Sequence, residues 1–183
     1  MSKVDDLIRN YSQYIAVPWR SDAAAGQRVV FCVYNETDER ALRVKIEEFA
    51  IATREAKHKW ALFDLTDTFA EWLTQQRYAQ SYFNQPELLI TLYPRYLDFI
   101  SSSFDTFLTN NAIDESYVVA LQGVGSLFGF LKVKEVVDRL APKVHGRLLV
   151  FFPGSYENNN YRLLDGYDGW NYLAVPITSD RIF

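Results

Sequence analysis

Four carboxylates, one glycine-rich loop and one aromatic-rich segment hold the side chains of this sequence that could do chemistry. Glu36, Asp38, Asp64 and Asp67 fall at or just beyond the ends of two apolar runs, Arg28–Tyr34 and Lys59–Leu65. A metal-dependent hydrolase would put acids there, since a divalent ion needs oxygen ligands from several chain segments. Helix capping and solvation account for the same residues. Gly123-Val-Gly-Ser-Leu-Phe-Gly129 follows a third apolar run and resembles a dinucleotide loop. Its third glycine stands one residue late, and the next strand ends in Phe152-Pro153 rather than an acid. Gly123 and Gly125 are therefore read as a structural turn that admits positive φ and lets Ser126 cap a helix.

Other chemistries lack their parts. Gly-Lys-Ser/Thr occurs nowhere, so a γ-phosphate would find neither its lysine nor its magnesium-binding hydroxyl. His58 and His145 have no histidine or cysteine at ligand spacing, which leaves no zinc pattern and no implied cofactor. Cys32 lies inside an apolar run and reads as a small hydrophobe. Ser126 and Ser155 are nucleophiles by residue type alone, with no base placed beside either.

The most distinctive stretch is the last. Pro153-Gly154 reads as a turn out of a strand. Beyond it, Tyr156, Tyr161, Arg162, Tyr167, Trp170 and Tyr172 alternate with Asn and Gly, a composition that suits recognition surfaces. Pro153, Gly154, Tyr156, Tyr161, Arg162, Trp170 and Tyr172 are accordingly the expected partner-binding residues. The rival expectation is a hairpin excursion whose tyrosines pack on the sheet edge.

The elements that must position these groups follow from periodicity. Val4, Leu7, Ile8, Tyr11 and Ile15 share one helical face, and Pro18 ends that helix. Arg28–Tyr34 reads as a strand buried on both faces, then Thr37 as an N-cap and Leu42–Ala56 as one helix. Lys59–Leu65 reads as a second strand, and Asp67-Thr-Phe-Ala-Glu71 as a capping box. Tyr78–Asn110 looks helical, opening at Gln85-Pro86-Glu87, with Pro94 expected to break or kink it. Tyr117–Leu121, a helix carrying Phe130, Val133, Val137 and Leu140, then Arg147–Phe152 and Tyr172–Ile177 complete the pattern. Alternating strands and helices predict a single α/β domain, a mostly parallel sheet of about five strands with helices on both faces. This is a degenerate NTPase-like or Rossmann-like layer fold, with residues 1–27 as a helical arm and loop and 28–183 as the domain proper.

The 183 residues suit one domain that needs no disulfide or metal to hold its core. A hydrophobic fraction of 49% excludes disorder as the dominant state. A lone cysteine, no apolar run near membrane-spanning length and no signal-peptide core predict a cytoplasmic protein. The net charge of −4 opposes free-standing nucleic-acid binding. Arg9, Arg20, Arg28 and Lys57-His58-Lys59 are the residues from which a basic stripe would have to be built.

Together these residues resemble a family. Leu121-Gln-Gly-Val-Gly-Ser-Leu-Phe128, then Leu148-Leu-Val-Phe-Phe-Pro-Gly-Ser-Tyr156, Arg162-Leu-Leu164 and Asn171-Tyr172 are similar to the BrxB proteins of BREX phage-defence systems. The likeness runs from about Val29 to Ile177 and is most specific at Gly123, Gly125, Pro153, Gly154, Tyr156, Arg162, Leu163 and Tyr172. Leu173 stands where the family tends to have arginine, and Lys132 and Lys134 stand where it tends to have an Arg-x-His pair. The resemblance implies a non-catalytic accessory or adaptor protein. Its implied partners are a PglZ-like phosphatase-fold protein, a BrxC-like ATPase and a PglX-like methyltransferase, with a second copy of the chain also admissible. The alternative is a nucleotide-sensing or metal-dependent enzyme built on Glu36, Asp64 and Gly123. Because the phosphate-positioning lysine is missing, the purified chain is expected to hydrolyse ATP no faster than buffer. Turnover abolished by Asp64→Asn or Glu36→Gln would contradict this.

Overall fold

Continuous runs of β-branched and aromatic residues make the strands, and their alternation sends side chains to two cores. The computed structural model of the chain describes residues 1–166 and 169–181. Strand β1 (Val29–Tyr34) is buried at every position. Phe31 and Val33 point to one core, while Val30, Cys32 and Tyr34 point to the other. With β2 (Lys59–Asp64), β3 (Tyr117–Gln122), β4 (Arg147–Glu157) and β6 (Val175–Ile177) it forms a parallel sheet of order β2-β3-β4-β1-β6. The short β5 (Asn160–Leu163) runs antiparallel to the outer part of β4. This is the α/β layer fold expected, with one antiparallel strand added.

Helices α1 (Lys3–Ile15), α2 (Glu39–Val44) and α3 (Ile46–Glu55) cover one face. Helix α1 is no detached arm: Val4, Leu7, Tyr11 and Ile15 are buried, and the Tyr11 hydroxyl lies 2.7 Å from Thr53 Oγ1. Its N-cap is a complete capping box between Ser2 and Asp5. The other face carries α4 (Thr68–Thr74), α6 (Tyr93–Asn110) and α7 (Val133–Leu140). Short helix α5 (Ala79–Asn84) lies between α4 and α6. No described helix is long and apolar enough to cross a membrane.

Several local expectations are corrected. The helix read over Leu42–Ala56 divides at Lys45, whose ammonium group bonds Asp5 on α1. Asn35, not Thr37, accepts the capping hydrogen bond after β1. The Asp67 capping box does not form; instead the Thr68 hydroxyl donates to the Leu65 carbonyl and lies 2.7 Å from the Tyr96 hydroxyl. The helical stretch over Tyr78–Asn110 is broken at Pro94 rather than kinked: the 3₁₀ segment Pro86–Leu92 ends there, and Pro94 stands in the first turn of α6, where its missing N–H costs nothing. Residues Val124–Leu127 form only a 3₁₀ turn, and α7 begins at Val133, leaving Phe130 outside any helix.

Pro153-Gly154 is not a turn. Pro153 still pairs with Tyr34 of β1, and Gly154 begins the pairing with β5, so β4 passes through this dipeptide from parallel to antiparallel partners. A Cβ on Gly154 would collide with the Arg162 carbonyl oxygen, which explains the glycine. The chain reverses instead at Asn158-Asn159, both at positive φ (51° and 64°), a two-residue hairpin for which asparagine is suited.

In the glycine loop Gly123 (φ 81°) and Gly129 (φ 84°) are left-handed, and at Gly123 a Cβ would press on the Thr66 backbone and side chain. Gly125 lies outside the left-handed region, and a Cβ there would meet Pro153 Cγ at an ordinary 3.5 Å. Gly123→Ala is therefore expected to lose about 1–3 kcal/mol of stability, and Gly125→Ala less than about 1, in urea unfolding. Equal losses at the two positions would contradict the assignment of the strain to Gly123.

Candidate functional site

The carboxyl ends of parallel strands are where such sheets place ligands, and here they bring together the loops after β1, β2, β3 and β4. A cavity of about 250 Å³ opens between Glu36, Glu39, Arg43, Gly123, Gly125, Ser126, Pro153 and Leu164. Glu36 and Gly123 thus meet, and Asp64 lies beside Gly123. Six side chains of this rim are engaged with one another: Tyr34, Glu39, Arg43, Asp64, Thr66 and Gln122. Arg43 Nε donates to Glu39 Oε1 at 2.7 Å, and its Nη2 to Thr66 Oγ1 at 3.0 Å. Thr66 donates through its N–H (2.9 Å) and hydroxyl (2.5 Å) to Asp64 Oδ1, and Gln122 Nε2 donates to Asp64 Oδ2 at 3.1 Å. The Tyr34 hydroxyl donates to Glu39, and burial first, then that carboxylate, push its pKa well up. Ser126 caps no helix: its hydroxyl hydrogen bonds go to the carbonyls of Gly123 (2.6 Å) and Leu65 (3.2 Å).

The bonds form a chain along the strand ends, from Gln122 through Asp64, Thr66, Arg43 and Glu39 to Tyr34. Among the described residues, no group of three or more His, Cys, Asp or Glu side chains could hold a metal ion. Asp67 is exposed in the loop after β2, and His145 is exposed before β4 at the other end of the sheet, while Glu36 alone among the strand-end acids lines the cavity beside Glu39. Cys32 is fully buried, which raises its thiol pKa and withholds the thiolate. Of the basic residues, Arg9 pairs with Asp6 and Arg20 with Asp22, so the proposed stripe is interrupted by acids.

The aromatic segment divides into a packed part and an exposed part. Tyr161 is fully buried: its ring lies 4.7 Å from Phe31, 5.7 Å from Phe152 and 5.3 Å from Trp170, centroid to centroid. Tyr161 and Trp170 also exchange backbone hydrogen bonds of 2.8 and 2.9 Å. Trp170 and Tyr172 are half-buried against the same cluster, with Tyr172 stacked on Phe31 at 5.8 Å. Pro153 is buried as well. Tyr161 and Pro153 therefore offer no contact surface, and the expectation that the segment is a free recognition loop is corrected for them. Tyr167 lies outside the described residues. Arg162 remains exposed because β5 alternates, its neighbours Tyr161 and Leu163 pointing inward. Tyr156 is half-buried, with its hydroxyl 3.1 Å from Asn159 Oδ1.

Beside the hairpin runs a groove of about 580 Å³, walled by Phe128, Leu131, Lys132, Leu163, Gly166 and Trp170. Phe128 is 48% exposed, and Gly169 borders both this groove and the hollow containing Arg162. Residue patterns alone had missed Phe128 and the groove. The available signal is a phenylalanine beside Gly129 that lies in no helix, followed by Lys132 at the start of α7.

A family model described as BREX protein BrxB matches residues 62–176, more than half of the chain. No curated protein and no solved structure matches it.

The split between packed and exposed side chains has a direct consequence for stability. Tyr161→Ala is expected to cost about 3–5 kcal/mol, as for other buried aromatics, and Arg162→Ala to stay within about 0.5 kcal/mol. Chemical unfolding of the two variants checks this, and a strongly destabilised Arg162→Ala would contradict it.

Proposed function

We propose that this chain, which belongs to the BrxB family of BREX phage-defence proteins, is an accessory component that assembles other BREX proteins without catalysing a reaction itself. The observation that carries this reading is the surface beside β5. There a rigid aromatic cluster holds an exposed Arg162 and the Phe128-walled groove in fixed relation. Arginine can present two parallel N–H donors to a carboxylate, and an exposed aromatic beside a groove is the usual composition of an interface anchor. Arg162, Tyr156, Trp170 and Tyr172 with Gly154 form the hairpin side of the proposed partner surface. Phe128 and Lys132 form the other side. The partners are the PglZ-like protein, the BrxC-like ATPase or the PglX-like methyltransferase.

The rival reading, an enzyme built on Glu36, Asp64 and Gly123, is less well supported. Asp64 spends its oxygens on Thr66 and Gln122, and Arg43 is held by Glu39 and Thr66.

The test is affinity capture of the three BREX partners by the wild-type chain and by Arg162→Ala and Phe128→Ala, each first matched for melting temperature. Loss of about 2 kcal/mol at an anchor corresponds to roughly 30-fold weaker binding of at least one partner. Wild-type affinity for every partner in both variants would place the interface elsewhere.

A further inference from the structure

At the opposite end of the sheet, two arginines stand side by side. Val29 of β1 pairs with Leu148 of β4, which puts Arg28 level with Arg147 at the start of adjacent parallel strands. Arg147 is only 7% exposed. Its Nη1 donates to the Gly146 carbonyl at 3.0 Å, and it bonds the Tyr14 hydroxyl. Arg28 donates through Nη1 to the Ala23 carbonyl at 3.0 Å. All of these acceptors are neutral. Neither arginine forms an ion pair among the described residues, and the acid nearest in sequence to Arg28 on its loop, Asp22, is held by Arg20.

Two further donors at this rim are buried without any acceptor: Arg28 Nε and Trp19 Nε1. They belong to the same place. The Arg147 guanidinium lies 4.7 Å from the centroid of the Trp19 ring, and Trp19 stacks on His58 at 3.6 Å and 2°. Burial above all, and the Arg28 charge with it, lower the Arg147 pKa, and the same burial and Arg147 charge lower that of His58. A pair of partly buried cations with idle N–H groups is costly unless an anion joins it.

We propose that the amino-terminal rim of the sheet is a phosphate-binding site formed by Arg28, Arg147 and the Trp19 indole N–H. Two guanidinium charges match a dianion, whereas a carboxylate would leave one charge uncompensated, and the planar fork of arginine suits phosphate oxygens. The ligand is a phosphoryl group, either free phosphate or the phosphomonoester of a nucleotide. The site is separate from the β5 surface and from the glycine loop, both of which lie at the other end of the strands.

Sodium phosphate, titrated into the full chain at ionic strength held constant with NaCl, is expected to raise Tm by about 5–10 °C at 100 times its Kd. It is also expected to move the Trp19 indole N–H resonance, identified by its disappearance in Trp19→Phe. Trp19→Phe keeps an aromatic ring on His58 but removes the donor, and Arg28→Gln removes one charge. Each is expected to weaken phosphate about tenfold or more. Adenosine 5′-monophosphate in a parallel titration identifies the source: tighter binding than phosphate assigns a nucleotide, equal binding the free ion. No change in Tm beyond NaCl together with a stationary indole resonance would overturn the proposal. So would phosphate affinity unchanged in Trp19→Phe, which decides the matter if Arg28→Gln does not fold. Sodium acetate binding as tightly as phosphate would overturn the assignment to a dianion.

Discussion

The burial of Tyr161 against Phe31 and Phe152 governs the structure at the carboxyl end of the sheet. Phe31 and Phe152 lie on the adjacent central strands β1 and β4, their rings 5.4 Å apart, so the platform they make is as rigid as the sheet. Tyr161 closes over that platform, and Trp170 and Tyr172 join it from the returning chain. Aromatic contacts of this kind add about 0.5–1.5 kcal/mol each beyond the area they bury. The hairpin is thereby part of the core, and its outward face is fixed rather than adaptable. Arg162 faces outward because Tyr161 faces inward.

That packing depends on Gly154. Only a residue without a Cβ lets the Arg162 carbonyl approach β4 closely enough for β5 to pair. Once paired, the Leu164 N–H reaches the Pro153 carbonyl at 2.8 Å, and the chain is directed toward the groove beside Phe128. The carboxyl rim inside this hairpin is occupied by its own polar network, in which Asp64, Thr66, Arg43 and Glu39 satisfy one another. A fold of this class hosts many functions, so function is set by these side chains and the sheet itself decides nothing.

Much of the architecture was legible in the residues. Val29–Tyr34 and Leu148–Phe152 are unbroken apolar runs, and only a strand covered on both faces uses them so. The errors share one cause, that local turn chemistry yields to long-range pairing. Pro153-Gly154 has the composition of a turn, yet it continues β4 because β1 and β5 supply backbone partners on either side. The true turn, Asn158-Asn159, was visible as an asparagine run but lacked the glycine that usually signals a hairpin. Pro94 has the same ambiguity, breaking a helix when internal and starting one when first. The exposed Phe128 and the groove arise from segments distant in sequence, and no spacing rule within one segment could have joined them.

Hydrogen–deuterium exchange of the chain alone and mixed with BREX proteins reads out where a partner sits. New protection is expected at residues 128–134 and 160–166, around the groove and β5, with the carboxyl rim at 64–67 unchanged. Protection absent from both of those segments while appearing elsewhere on the surface would contradict this.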